Sequence, residues 1–180
     1  MSKAFTRESD DEPERSSLRP LSSPLPPGAR NYITPDGAGR MRVELEQLSE
    51  EKRAQVAAAE QSGEPQPKVS LLEQRIRRLR ESLETAVVVP APPQPWNQVR
   101  FGANVTVKDA EGSETTYRIV GIDETDLERN WISWLSPLAR ALLNGQLGAQ
   151  LRFHLPAGEQ RLEIIRIDFK PGLDETGKGA

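Results

Sequence analysis

The sequence predicts an α+β protein, in which an antiparallel α-helical hairpin is followed by a small antiparallel β-sheet domain with one short helix. Three observations indicate this architecture. Apolar residues recur every three or four positions between residues 41 and 83, which is the period of an amphipathic helix. Prolines are concentrated in residues 87–95. From residue 96 onward apolar residues alternate with polar ones, which is the period of a half-buried strand.

Composition restricts the class of protein. The chain has 180 residues, 36% hydrophobic and 28% charged, which suffices for one or two small domains. It has no Cys and a single His, so disulfide scaffolds, thiolate metal sites and Cys nucleophiles are excluded, and histidine triads lose nearly all their candidates. No apolar run approaches the roughly 18 residues that cross a bilayer. We therefore expect a cytoplasmic protein without membrane contact. The net charge of −3 disfavours broad attachment to nucleic acid.

The two ends of the chain are predicted to be tails. Residues 1–30 are rich in Ser, Pro and charge and have too few apolar residues for a core, so we expect a disordered tail. An acidic segment at residues 8–12 stands where the apolar part of a signal peptide would lie, which argues against export. Residues 171–180 are predicted to form a flexible tail.

Residues 31–86 are predicted to form the helical hairpin. Thr34 can cap the first helix and Pro35 suits the first helical position, whose amide has no partner in any case. The first apolar seam is Met41, Leu45 and Leu48, and it weakens toward the C-terminal end of the helix. After a Gly/Pro break at residues 63–67, a stronger seam follows: Val69, Leu72, Ile76, Leu79 and Leu83. Because the connection is short, the helices should lie antiparallel.

Residues 87–95 are predicted to form a stiff Pro-rich linker, and residues 96–170 a C-terminal sheet domain of about five strands. Within this domain Ser136 can act as an N-cap and Pro137 as the first residue of a brief helix. Trp131 and Trp134 differ in parity along a predicted strand, so one should face the core and the other could anchor an interface. His154 is predicted to be a solvent-facing strand residue, with nothing to indicate a metal site.

Several segments resemble, in the same order, the GreA/GreB family of bacterial transcript-cleavage elongation factors. They include residues 31–37 (Asn-Tyr-Ile-Thr-Pro-Asp-Gly), 118–121 (Arg-Ile-Val-Gly) and 136–143 (Ser-Pro-Leu-Ala-Arg-Ala-Leu-Leu). The resemblance spans residues 31 to about 167 and is closer to GreB-like members. It implies a coiled-coil hairpin that enters the secondary channel of bacterial RNA polymerase, and an FKBP-like C-terminal domain that holds the channel rim.

The resemblance also implies that the chain has no active site of its own. It would be a monomer that is not an enzyme and carries no cofactor, because the family acts on Mg²⁺ bound by the polymerase. Contact with nascent RNA or DNA in the elongation complex is a further implication.

The sequence departs from the family at the hairpin tip. The family's acidic tip motif contains an Asp-x-x-Glu-Asn core, whereas residues 64–68 read Glu-Pro-Gln-Pro-Lys here. About a dozen tip residues are missing, which would shorten the hairpin by roughly 10 Å. A carboxylate displaced that far cannot reach a metal whose ligands lie at about 2.1 Å. Glu60 and Glu64 are the candidates to replace the lost acids, and geometry favours the alternative that they are solvated turn residues.

A cluster of arginines on the second helix has two interpretations, and the sequence does not decide between them. The cluster is Arg75, Arg77, Arg78 and Arg80. It resembles the family's basic patch, which lies near the 3′ segment of the RNA. It could equally be a solvated coiled-coil face paired with acidic residues of the first helix. Reversal of the charges would distinguish the two.

The resemblance also suggests which residues dock on the polymerase. The candidates are Asp123, Glu124, Ser136, Pro137 and Arg140. Three functions stay open: a Gre-like regulator that acts by occupying the secondary channel, which we favour; an active cleavage factor with an unusual tip; and a generic protein-interaction module outside transcription.

Overall fold

The computed structural model describes residues 25–62, 67–155 and 158–169. The helical part comprises β1 (Asn31–Ile33), α1 (Pro35–Ser62), α2 (Pro67–Thr85) and β2 (Ala86–Val88). The sheet part comprises β3 (Asn104–Asp109), β4 (Glu114–Val120), a 3₁₀ turn (Ile122–Glu124), β5 (Trp131–Ser133), α3 (Pro137–Leu142), β6 (Gln150–Leu155) and β7 (Gly158–Asp168). The predicted α+β class is confirmed. Within the described ranges, no helix has the length and apolar character to span a bilayer.

Helix α1 begins where its capping residues predict. The Thr34 hydroxyl accepts a hydrogen bond from the Gly37 N–H at 3.0 Å, and Pro35 is the first helical residue. At the base of the helices a buried apolar cluster comprises Ile33, Ala38, Met41 and Leu79. Local capping therefore fixes the start of α1, and the apolar seam holds it against α2.

Two ion pairs show how the helices run relative to each other. Arg75 donates to Glu44 at 2.7 Å, and farther along α1, Lys52 lies 2.7 Å from Glu73. From the first pair to the second, the residue number rises along α1 and falls along α2. The two helices therefore run in opposite directions. Leu72 and Ile76 of the stronger predicted seam are buried.

Strands β1 and β2 form a short parallel sheet that the sequence analysis did not predict. Asn31 pairs with Ala86 and Ile33 with Val88, and the Val89 N–H donates to the Ile33 carbonyl at 2.9 Å. The predicted linker of residues 87–95 thus begins inside a strand. The reason is that the backbone groups beside the start of α1 need partners, and the chain leaving α2 supplies them. The prolines that indicated a linker begin only at Pro90, which lacks the N–H to continue the ladder.

The main sheet has the strand order β5-β4-β3-β7-β6 and is mixed, whereas the sequence analysis predicted an antiparallel sheet. The exception is β5, which runs parallel to β4 with Arg118 opposite Trp131. Residues 121–130 between these strands are long enough to carry the chain back to the same end of the sheet, which parallel pairing requires. The core lies between one face of this sheet and α3, and includes Val105, Ile119, Leu142 and Ile164.

The predicted tails fall mostly outside the described residues. This holds for residues 1–24 of the N-terminal tail and for the C-terminal tail at 171–180. Residues 26–29 form a turn in which the Ala29 N–H donates to the Pro26 carbonyl at 3.0 Å.

Candidate functional site

The start of α1 contacts the 3₁₀ turn of the sheet part through a set of buried hydrogen bonds. We call this contact the joint and define it by Thr34, Asp36, Gly37, Arg118 and Glu124. The Glu124 carboxylate accepts from the Thr34 N–H at 2.8 Å, from the Gly121 N–H at 3.0 Å and from the Thr34 hydroxyl. Because its side chain is only 2% exposed, this carboxylate depends on these donors in place of water.

Two glycines leave room for the Glu124 carboxylate. A Cβ on Gly37 would lie 1.8 Å from Oε1 of Glu124, and a Cβ on Gly121 would lie 2.3 Å from the Tyr32 carbonyl oxygen. Atoms cannot approach that closely, so both positions require glycine. The joint therefore fixes the direction in which α1 leaves the sheet part.

A second connection in the joint is ionic. The buried Arg118 donates to Asp36 at 2.7 Å, and the exposed Arg40 donates to the same carboxylate oxygen at 3.0 Å. Burial alone would raise the pKa of Asp36. The charge of Arg118 and the hydrogen bonds from Arg118 and Arg40 outweigh that effect, so the pKa of Asp36 lies below its ordinary value.

The lowered pKa of Asp36 gives an expected pH dependence. A group whose pKa is lower in the folded chain stabilises it above the ordinary value of 3.8, and that contribution is lost as pH falls through the folded pKa. We expect Asp36→Asn to lower the free energy of unfolding at about pH 6, and the difference from the parent to shrink at about pH 3. Urea unfolding of both proteins at the two pH values measures this difference in the free energy of unfolding. A difference that is constant with pH would contradict it.

Trp131 lies beside the joint and binds three guanidinium groups. Its ring centre is 4.7 Å from Cζ of Arg40, 4.8 Å from that of Arg118 and 5.5 Å from that of Arg129. The ring partly compensates Arg118, whose Nε and Nη1 are buried and have no hydrogen-bond partner in the described part of the chain. Trp134 instead packs on the core of the sheet. Trp134 lies one residue beyond the end of β5, so its packing does not follow from strand parity.

The structure separates the predicted docking residues into internal and exposed ones. Glu124 is internal, which corrects its prediction as a docking residue, because its oxygens are buried and bound by the joint. Asp123 accepts a hydrogen bond from the Ser82 hydroxyl and so links the 3₁₀ turn to α2. Ser136 caps α3 by accepting from the Ala139 N–H at 3.1 Å. Pro137 and Arg140 are exposed on α3 and available to a partner.

The four arginines of the predicted basic patch also differ in their environment. Arg75 is half-buried and paired with Glu44, as expected of a structural ion pair. Arg77, Arg78 and Arg80 are exposed, and they form no ion pair with any other residue in ranges 25–62, 67–155 and 158–169. A surface for an anionic partner would therefore rest on these three.

Comparison with known proteins identifies the family. Residues 93–169 match the family described as transcription elongation factor GreA/GreB, C-terminal. The transcription elongation factor GreB of Pseudomonas aeruginosa is 39% identical over 152 residues, which cover 77% of this chain and 90% of the relative. This chain belongs to the GreA/GreB family. The GreA of Halorhodospira halophila is 33% identical over 153 residues, covering 77% and 97% of the two chains.

Solved structures of similar proteins include a GreA/GreB elongation factor from Nitrosomonas europaea. It is 24% identical, covers 77% of this chain and 98% of its own, and superimposes with a TM-score of 0.39. The sequence relatives confirm the family resemblance that was inferred from the sequence motifs.

The tip that would carry the acids of a GreA/GreB factor is largely outside the described residues. Glu64 falls outside them, and Glu60 is described only in its backbone, as part of α1. The side chain of His154 is likewise not described. Across the described ranges, no three His, Cys, Asp or Glu residues are grouped so that they could hold a metal ion.

Sequence reasoning missed most of the joint of this GreA/GreB family member. Thr34 was identified only as a helix cap, although its backbone and hydroxyl both bind Glu124, a residue 90 positions away. Arg118 gave one usable signal, because it is a charged residue in an otherwise apolar run at the end of β4. Nothing near Asp36 in the sequence indicates that it forms the ion pair with Arg118.

Proposed function

We propose that this GreA/GreB family member binds bacterial RNA polymerase as a monomer in the cytoplasm. In this proposal α1 and α2 act as a coiled-coil hairpin in the secondary channel, and the domain that follows is FKBP-like and rests on the channel rim. Membership of a family of elongation factors supports the polymerase as partner. The exposed Pro137 and Arg140 are the docking residues that fit this role.

We further propose that the chain occupies the channel without stimulating transcript cleavage, and that it is not an enzyme and holds no cofactor of its own. The observation that carries this proposal is the shortness of the tip. Helix α1 continues to Ser62 and α2 begins at Pro67, so only residues 63–66 connect them. These residues read Gly-Glu-Pro-Gln and contain a single carboxylate, whereas holding a second Mg²⁺ and its water calls for several hard oxygen ligands.

The basic side chains of α2 support a contact with nascent RNA or DNA within the complex. Arg77, Arg78 and Arg80 are exposed on the helix, where they can meet phosphate oxygens. Arg75 is paired with Glu44, so the proposed contact rests on the other three arginines.

Transcript cleavage on a stalled, backtracked polymerase complex tests the proposal. We expect the purified chain to bind the polymerase, to leave the cleavage rate within about twofold of the factor-free rate, and to slow cleavage by an intact GreB added as comparator. Glu64→Ala should behave like the parent in all three measurements.

Two outcomes would replace the proposal. Strong cleavage that is lost in Glu64→Ala would identify an active cleavage factor with an unusual tip. Failure of the chain to bind the polymerase at all would instead favour a generic protein-interaction module.

A further inference from the structure

Helices α1 and α2 leave a groove of about 490 Å³ between them, beyond the packed base of the hairpin. Its floor is apolar and consists of Val56, Ala57 and Ile76. Its rim is cationic and consists of Lys52, Arg53 and Arg80, with no carboxylate among the lining side chains that the structure describes. We call this feature the helical groove. An extended segment that carries acids close to an apolar side chain would fit it.

The cations of the helical groove lie on both helices, Lys52 and Arg53 on α1 and Arg80 on α2. Lys52 is already paired with Glu73, whereas Arg53 and Arg80 are exposed and form no ion pair with a described residue. A neighbouring depression shares Lys52 and Arg80 with the helical groove, and its lining also includes three acids, Glu73, Glu81 and Glu84. An acidic ligand should therefore lie nearer Arg53 than Glu84.

The N-terminal segment of the same chain has the complementary sequence. Residues 8–14 read Glu-Ser-Asp-Asp-Glu-Pro-Glu, which is five acids with no base among them. Phe5 precedes this run by three positions, close enough to reach the apolar floor while the acids lie along the rim.

The chain is long enough to make this contact. Helix α1 rises by about 27 Å between Pro35 and Arg53. The described chain begins at Leu25, and the 14 steps from there back to Asp11 span up to about 45 Å when extended. Tethering keeps the acidic run at a high effective concentration near the helices, so a weak attraction is sufficient to populate the contact.

From the charge, the apolar floor and the reach of the chain, we propose that residues 8–14 bind the helical groove of the same molecule, with Phe5 on its floor. This inference goes beyond the proposed function and does not depend on the polymerase. The contact is electrostatic and solvent-exposed, so salt weakens it.

A spin label on the full chain tests the contact. Because the chain has no Cys, Ser9→Cys places a single nitroxide beside the acidic run. At about 0.02 M salt we expect the amide signals of Arg53 and Val56 to lose about half their intensity or more, those of Glu84 to lose less, and all to recover at about 0.5 M. Unchanged signals at Arg53 and Val56 at low salt would overturn the proposal.

Matched charge variants check that the acids are responsible. D10N/D11N/E12Q removes three acids from the run and should reduce the signal loss at Arg53 at least about threefold. The control, E111Q/E114Q/E128Q, changes the net charge equally at exposed positions of the sheet part and should leave the loss intact. An equal effect of both variants would show that only net charge matters, and would overturn the proposal.

A mixing experiment separates contact within one chain from contact between two. Isotope-labelled chain without nitroxide is mixed with unlabelled chain that carries it on Ser9→Cys. We expect no signal loss at Arg53 in the mixture. Loss in the mixture equal to that in the single labelled chain would assign the helical groove to a second copy and overturn the intramolecular contact.

Discussion

Replacing Gly37 with Ala is expected to lower the free energy of unfolding by about 2–3 kcal/mol, the upper range for overpacking a buried site. The added methyl would lie 1.8 Å from Oε1 and 2.3 Å from the carboxyl carbon of Glu124. The carboxylate cannot move aside without breaking its hydrogen bonds to Thr34 and Gly121. The joint would have to open, or α1 would have to shift away from the sheet part.

Gly39 provides a matched control two residues along the same helix. A Cβ at Gly39 meets no atom within 4 Å, so Gly39→Ala replaces a poor helix former with a good one and causes no clash. It should raise the free energy of unfolding by about 0.5–1 kcal/mol. Urea unfolding of both variants makes the comparison. If Gly37→Ala were as stable as Gly39→Ala, the close packing of the joint would be refuted.

Truncation of the buried Glu124 carboxylate is expected to destabilise the chain strongly. Glu124→Ala should lower the free energy of unfolding by about 3–5 kcal/mol, since hydrogen bonds to a charged group contribute about 1.5–3 kcal/mol each and their donors stay buried. The buried donors that lose their acceptor are the Thr34 N–H, the Thr34 hydroxyl and the Gly121 N–H, and the exposed Arg40 loses a longer contact of 3.5 Å. Glu128→Ala is the control, because Glu128 is exposed and should change stability by less than about 0.5 kcal/mol.

A double-mutant cycle attributes the effect of Glu124 to the joint. Thr34 and Glu124 share two hydrogen bonds, so the effects of Thr34→Ala and Glu124→Ala should not add. We expect a coupling free energy of about 1–2 kcal/mol, measured by urea unfolding of both single variants and the double variant. Additive effects within about 0.3 kcal/mol would mean that Glu124 stabilises the chain by some other contact.

Elements that depend on near neighbours in the sequence were predictable. The caps at Thr34 and Ser136 act on amides three positions later, and both were identified from the residue type and the following proline. The apolar seam of α2 was found the same way, because its buried residues Leu72, Ile76 and Leu79 repeat at helical spacing.

Elements that depend on distant partners were not predictable. Strands β1 and β2 have three residues each, too few for a visible alternation, and they pair across 55 positions between Asn31 and Ala86. The parallel pairing of β4 and β5 depends on the path of residues 121–130, whose sequence resembles an ordinary loop.

Glu124 also shows the difference between what near neighbours in the sequence indicate and what distant partners decide. The family resemblance suggested that Glu124 docks on the polymerase, whereas the structure buries its carboxylate against the start of α1. By itself, the sequence determined the α+β class, the start of α1 and the family, because each depends on residues that are close together or that follow one another in a fixed order along the chain. Only the tertiary structure decided which charges are internal and which are exposed. The physical reason is that a carboxylate takes its role from the donors packed against it, and here those donors include Thr34, 90 positions away.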